Sequence, residues 1–239
     1  MNGTNAPTTI GPDVYASWRA TPLGGVTEGL EQRLLLDMMG ELRGAHVLDV
    51  GCGDGALVCT AISRGAVAIG IDPDPAMLVA ARRRAEKTGL RAGFLVGRIE
   101  RLPFPDAAFD VVVAVTVLCF VADAAGAVRE MARVLRPGGR LVLGELGRQS
   151  LWAMVRRLRG WLGAVPWKTA HFRNANELRA LAERAGLTVS ALHGAVFYPP
   201  VGMFARVLAP LDPWLGRLTT FGAAFIALSA VSRADHARQ

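Results

Sequence analysis

Residues 47–55 read Val-Leu-Asp-Val-Gly-Cys-Gly-Asp-Gly, a short apolar run that opens straight into three glycines at alternate positions. Such a run, bounded by turn residues, predicts a buried strand followed by a tight loop. Glycine suits that loop because it tolerates backbone angles other residues avoid and lets a ligand approach the main chain with no Cβ in the way. The loop therefore predicts a nucleotide-like cofactor. Gly51, Gly53 and Ala56 also satisfy the looser G-x-G-x-x-(G/A) fingerprint of dinucleotide enzymes, so the motif alone does not choose the ligand.

Working outward, a second apolar run at 66–71 ends in Asp72, followed by Pro73, about twenty residues beyond the glycines. A carboxylate there accepts hydrogen bonds from both hydroxyls of a ribose and repels a 2′-phosphate. NAD and S-adenosylmethionine (SAM) both remain. Further strands are expected at 92–96, 111–114 and 140–144, with helices from Ala56, over 75–88 and over Ala124–Val134. That alternation implies a parallel, doubly wound α/β sheet. Ahead of it, 30–42 carries Leu30, Leu34, Leu35, Met38, Met39 and Leu42 at helical spacing, a helix to pack across the sheet. Arg136-Pro137-Gly138-Gly139 reads as a structural stop between helix and strand. A helix over 176–185, capped by Asn174 or Asn176, a strand over 187–196 and a last strand over 223–231 complete the reading. No internal repeat is visible.

Three further segments separate the two cofactors: Gly97-Arg98-Ile99-Glu100-Arg101-Leu102-Pro103-Phe104-Pro105-Asp106, the run Phe109-Asp110-Val111-Val112-Val113-Ala114-Val115, and Val134-Leu135-Arg136-Pro137-Gly138-Gly139-Arg140-Leu141. With the glycine loop they resemble the class I SAM-dependent methyltransferases, especially the branch holding the ubiquinone and menaquinone biosynthesis enzymes and many small-molecule methyltransferases. The resemblance covers roughly residues 15–146. It implies a Rossmann-like seven-stranded sheet, mostly parallel, whose last two strands form an antiparallel hairpin at one end. An NAD oxidoreductase is the minor alternative.

The resemblance also implies a site. Asp49, Gly51 and Gly53, with Cys52 between them, would line the methionine end of SAM, Asp49 near its amino group and backbone N–H groups near its carboxylate. Asp72, with Pro73, would hold the ribose, while Met77 and the Ile99 backbone N–H would hold the adenine. Arg98 is a departure: relatives carry an acid there that accepts from the adenine amino group, and a guanidinium has only donors. Thr116, Val117 and Leu118 end the fourth strand where acceptor and methyl group meet, and Cys119 and Phe120 continue the wall. Tyr15 and Thr21 lie in a leading segment, 15–24, of the kind that folds over the cofactor. Each has a plainer reading: Asp49 satisfying turn amides, Asp54 a solvated turn acid, Cys52 filler, Met77 core, Trp18 a helix anchor.

Methyl transfer from a sulfonium needs mainly alignment and exclusion of water, so a dedicated base is optional. His171 is the first choice for one, and Glu145, ending the fifth strand, the second; a surface histidine is the plainer reading of His171. Two stretches, 148–173 and 198–220, exceed the minimal fold and would lie where ligands bind. In the first, Trp152, Val155, Leu158, Trp161 and Leu162 share a helical side with Arg156, Arg157 and Arg159 nearby. That pattern suits a cap over a hydrophobic acceptor, with Trp152, Trp161, Phe172 and Tyr198 in its pocket, or a peripheral contact with a membrane surface. The Arg82-Arg83-Arg84 run reads as a solvated face.

At 239 residues, 51% apolar and 20% charged, the chain suits a single domain, expected over 13–235 after a disordered lead-in at 1–12. Three cysteines without a C-x-x-C pair indicate neither a disulfide framework nor a zinc site and suit a reducing cytoplasm. The charge-free run 187–205 contains two prolines and two glycines, which argues against a membrane-spanning helix. The net charge of +7 decides nothing by itself. Thr116-Val117-Leu118-Cys119 does not resemble the Asn/Asp-Pro-Pro-Tyr/Phe of amino-methylating nucleic-acid enzymes, so no nucleic-acid partner is expected. The reading is a methyltransferase acting by in-line transfer on a small, apolar or aromatic metabolite. A membrane-surface quinone or lipid methyltransferase and a non-catalytic SAM-binding protein are its rivals.

Overall fold

The computed structural model describes residues 11–164 and 167–233. The chain opens with α1 (Pro12–Arg19) and α2 (Pro22–Met39). Most of the expected lead-in lies outside the described residues, and its last two, Gly11 and Pro12, already cap and begin α1. α2 starts well before the expected 30–42 because Thr21 Oγ1 accepts the Gly24 N–H and Pro22 fits the first turn. It stops at Gly40, whose φ of +78° with ψ of −150° is a backbone conformation open to glycine.

Strands and helices then alternate: β1 (His46–Val50), α3 (Ala56–Ser63), β2 (Val67–Asp72), α4 (Pro75–Lys87), β3 (Gly93–Val96), β4 (Phe109–Val115), α5 (Ala124–Val134) and β5 (Leu135–Leu146). After α6 (Leu151–Trp161) and α7 (Ala175–Arg184) come β6 (Leu187–Ala195), α8 (Gly202–Leu208), α9 (Asp212–Leu218) and β7 (Phe225–Ser232). The seven strands form one sheet in the order β3-β2-β1-β4-β5-β7-β6. The first five strands pair in parallel, while β7 runs antiparallel to both β5 and β6. This is the doubly wound sheet with its antiparallel C-terminal pair that the sequence predicted.

β5 corrects one expectation. Arg136 to Gly139 do not end the helix before a new strand; Leu135 already pairs with Phe109, and pairing resumes at Arg140 with Val111. The four residues between bulge out against Asp110 alone, with Gly138 at φ +77° making the turn. Arg136 Nη1 donates to Asp110 Oδ1 at 2.6 Å and ties the bulge down.

Burial on both faces explains the near-continuous apolar strands. Val111 and Val113 join one core with Leu35 and Met39 of α2, Val58 of α3 and Leu78 of α4. Val112 and Ala114 join the other with Val128 and Met131 of α5 and Leu178 of α7. Each fully buried aliphatic side chain contributes about 1.5–3 kcal/mol. α7 is held at its start by a reciprocal cap, in which Asn174 accepts the Glu177 N–H and Glu177 accepts the Asn174 N–H.

The two extra stretches are local helices. α6 does not present Trp152 and Trp161 on one side as expected: Trp152 is 6% exposed and Trp161 84%. Trp152 Nε1 donates to the Tyr198 carbonyl at 2.8 Å, so its ring goes inward with its polar edge satisfied. Leu151, Met154, Leu158 and Trp161 then line the opposite, solvent-facing side.

Candidate functional site

The strand order reverses between β1 and β4, and ligands of such sheets bind outside the strands' C-terminal ends at that reversal. A cavity of about 550 Å³ opens there. Its floor is the glycine loop. The Gly51 and Cys52 N–H groups both donate to the Ile71 carbonyl, which folds the loop back over β2. Gly51 has φ +73°, and a Cβ on it would lie 2.3 Å from Val117 Cγ2, so nothing larger fits between β1 and the end of β4. Asp72 fastens the loop from the next strand: its Oδ2 accepts the Gly53 N–H and its Oδ1 the Asp74 N–H, each at 2.9 Å.

Buried carboxylates mark this floor. Burial, followed by the charges of Asp72 and Asp54, pushes Asp49 up to about 7. Burial also raises Asp72, against the lowering effect of its two amide donors. Asp54 is not the solvated turn acid of the sequence reading. Burial raises its carboxyl, but Arg19 and Arg84 outweigh that and hold it below its usual range. Arg19 Nη2 sits 2.6 Å from Asp54 Oδ1 and its Nε 3.3 Å from Glu28, while Arg84 Nη2 donates to Asp54 Oδ2. Arg84 thus has a structural task within a run read as solvated.

The end of β4 forms a strained wall. Thr116 has φ +52°, rare for a β-branched residue, and is held by its N–H donating to Gly144 at 2.6 Å. Beneath it Glu145 accepts the Leu118 N–H at 2.8 Å, and burial pushes this carboxyl up to about 7.

Tyr15, Asp49, Gly51, Cys52, Gly53, Asp72, Pro73, Met77, Arg98, Ile99, Thr116 and Val117 line the cavity. The Arg98 side chain is 74% exposed and pairs with Glu100. Thr21 is elsewhere, its hydroxyl spent on capping α2 and on the Trp18 carbonyl. The candidate catalytic and acceptor residues fare differently. Glu145 and Leu118 are buried beneath the wall, outside the lining. His171 is solvent-exposed, with its N–H on the Cys119 carbonyl, and its side chain does not reach the cavity. Phe172 packs with Cys119, Leu146 and Ala153, and Tyr198 Oη is 3.0 Å from Thr27 Oγ1 inside the core. Neither these nor Trp152 and Trp161 line the cavity.

The lining includes Phe120, expected in the wall, and residues the sequence reading missed, chiefly Arg19, Glu28, Glu31 and Gln32, with Thr169. The signal was present: Tyr15 and Arg19, and Glu28 and Glu31, stand one turn apart on helices, and the acids interrupt an otherwise core-facing side. Arg19 lies over the Tyr15 ring at 4.3 Å, which closes the cavity beside the glycine loop.

Fold and cavity together define a doubly wound α/β protein with a ligand site at the reversal of its sheet. Comparison with known proteins gives the family. Residues 48–143 match the methyltransferase domain family. The chain is 33% identical over 223 residues to an uncharacterized protein of Mycobacterium tuberculosis, covering 92% of this chain and 72% of that protein. It is 32% identical to a ubiquinone biosynthesis O-methyltransferase of Azorhizobium caulinodans, over 72% of this chain and 69% of that one. The crystal structure of a SAM-dependent methyltransferase from Thermotoga maritima superposes with a TM-score of 0.74 at 24% identity, over 92% of this chain and 95% of that one. The chain belongs to the SAM-dependent methyltransferases, and its cofactor is SAM.

The cavity fits that cofactor chemically. SAM carries an ammonium, a carboxylate, a sulfonium, a ribose diol and an adenine. Asp49 offers a buried carboxylate that no hydrogen bond engages among the described residues, and Arg19 supplies a cation beside the glycine loop. Asp72 stands at the end of β2, with apolar Met77 and Ile99 nearby.

Proposed function

We propose that this enzyme methylates a small, apolar or aromatic metabolite, with a ring of quinone type as the first acceptor class to test. The observation that carries this is one cavity lined both by Asp72, Met77 and Ile99 and by Leu35, Phe120 and Thr169. That is room for SAM and a compact acceptor side by side. The name of the Azorhizobium relative supports the quinone class.

In this reading Asp49 holds the methionine ammonium, Arg19 its carboxylate and Asp72 the ribose diol, while the Gly51, Cys52 and Gly53 N–H groups, expected on the carboxylate, are engaged by Ile71 and Asp72 and the loop contributes close approach. Pro73, Met77 and the Ile99 backbone frame the adenine, while Arg98 turns its guanidinium to Glu100 and solvent. Tyr15 covers the sulfonium side, where an aromatic face attracts the charge. SAM supplies an already activated methyl group, so the chain's own work is alignment and dryness. Thr116 and Val117 set the distance between acceptor and methyl donor.

The test is incubation with SAM and a panel of phenols, catechols, quinols and amines, following S-adenosylhomocysteine and methylated product. Turnover confined to large polar acceptors overturns the reading.

A second reading, a membrane-surface quinone or lipid methyltransferase, is favoured by a specific observation. Leu151, Met154, Leu158 and Trp161 on α6, and Met203, Val207, Trp214 and Leu218 along α8 and α9, are all exposed. Arg157, Arg159, Arg206 and Arg217 flank them, while the acid of these stretches, Asp212, is buried. Apolar stripes with basic flanks suit an anionic bilayer surface. No helix among the described residues is long and apolar enough to cross a membrane. Activity that does not change with anionic vesicles would sink this second reading.

A further inference from the structure

We propose that Glu31 receives the acceptor's proton, which makes the acceptor a hydroxyl compound of phenol or enol type methylated on oxygen. This rests on the functional reading above and gives that acceptor its chemistry.

The placement comes from α2. Met38, near its end, accepts from Arg140 at the start of β5, and Leu35 packs where a Cβ on Gly144 would lie, so α2 runs antiparallel to β5. One further turn, about 6 Å, carries Glu31 to the strands' C-terminal edge. There it lines the cavity on the β5 side of the reversal, while Asp72 lines it on the β2 side. Cofactor groups claim the β2 side, and the acceptor is left with the β5 side.

Elimination supports the assignment. The buried acids each have a task that explains them, Asp72 by accepting the Gly53 and Asp74 N–H groups. Glu145 accepts the Leu118 N–H, and Asp212 accepts the Val196 and Phe197 N–H groups, which holds Val196 at φ +64°. Glu28 and Asp54 pair with Arg19, and Asp49 answers the cofactor's ammonium. Glu31 accepts no hydrogen bond from any described residue. A half-buried carboxylate that lines the cavity and has no donor among the described residues is left for a ligand to use.

The charged and titratable groups facing Glu31 are Arg156 of α6, Glu28 of its own helix, Asp212 of α9, Tyr15 of α1 and Tyr198 ahead of α8. Arg156 leaves its own Nη1 without a hydrogen-bond partner among the described residues, and its guanidinium lies 5.1 Å and 5.0 Å from the Trp152 and Trp167 rings. The pair is thus held apart rather than closed. Burial, only partly opposed by Arg156, pushes Glu31 up to about 7, where a base is poised to work at neutral pH.

The step balances. The acceptor's O–H proton passes to a Glu31 carboxylate oxygen. The freed oxygen pair forms the O–CH3 bond as the CH3–S bond breaks, and that pair stays on sulfur, cancelling its positive charge. The products are the methyl ether, S-adenosylhomocysteine and neutral Glu31, which then loses its proton to water.

Glu31→Gln and Glu31→Asp are the variants, measured with neutral phenols. Wild-type log(kcat/KM) should rise with unit slope below about pH 7 and level off above it. Glu31→Gln should lower kcat by about a hundredfold or more and lose that limb, with SAM affinity unchanged. Glu31→Asp, the more conservative change, should keep the limb at a reduced rate. A readout without turnover is the visible absorbance of 4-nitrophenol bound beside S-adenosylhomocysteine. Its ionisation should move to lower pH in Glu31→Gln, because a neighbouring negative charge is gone.

An unmoved nitrophenol titration, an unaltered rate profile, or wild-type methylation confined to nitrogen or carbon overturns the proposal. Loss of SAM binding in Glu31→Gln would also overturn it, by assigning Glu31 to the cofactor. Failure of the functional reading looks different: the wild type would then turn over only large polar acceptors.

Discussion

Asp49 and Asp72 stand at the ends of neighbouring strands, yet the two carboxylates face opposite demands. Asp72 has two backbone donors, whereas Asp49 has none among the described residues and is pushed up to about 7, chiefly by burial. Its folded pKa lies above the unfolded value of about 3.9, so the folded protein holds a proton that the unfolded chain releases. The stability this contributes is complete below about pH 4 and is lost as pH rises through 7. Asp49→Asn removes the effect: in thermal melts without SAM, its Tm relative to wild type should climb from pH 5 to pH 8. A constant difference would mean that Asp49 is not titrating. Asp72→Ala should cut SAM affinity at least tenfold by calorimetric titration, since the ribose acceptor and the fastener of Gly53 go together. Both acids were legible as residues of a recurring motif. Glu31 was not, because a lone acid on a core helix acquires meaning only from what lies across the cavity.

The elements show where local signals suffice and where they compete. α5 covers the span expected near Ala124–Val134, and Gly40 and the Asn174 cap mark helix boundaries whose chemistry is local. The Arg136 to Gly139 bulge was read as a break because proline and glycine usually end elements; pairing of Leu135 with Phe109 overrode them. α6 was misjudged in its facing. Its apolar residues fall on two sides, and the sequence does not say which one meets Tyr198. This fixes a test of the membrane-surface reading. Replacing Trp161 and Trp214 by Ser should reduce co-sedimentation with anionic vesicles several-fold while leaving Tm nearly unchanged, since both are exposed. Trp152→Ser should instead destabilise the fold. Glu145 belongs to this scale too: Glu145→Ala strips the Leu118 N–H of its acceptor and should cost about 1–3 kcal/mol in chemical denaturation.

At the scale of the whole molecule, the sheet order places the cofactor loop, the strained end of β4 and the helices ahead of β1 around one cavity. A ligand that bridges them binds only the folded chain. SAM at a hundred times its Kd should therefore add about 2.7 kcal/mol and raise Tm accordingly, and NADH should not. Protection by NADH instead would overturn the cofactor assignment.

Local signals alone carry the α/β class, the order of strands and helices along the chain, the glycine loop and the acid that ends β2. These depend on local periodicity and on residue types whose backbone or charge serves one purpose at one spacing. Three placements come from packing across the molecule: His171 faces solvent, Glu145 supports the β4 wall, and Glu31 meets the cavity from a helix on the β5 side. The reason is physical: the orientation of a helix about its own axis, and the company of a buried charge, are set by long-range packing.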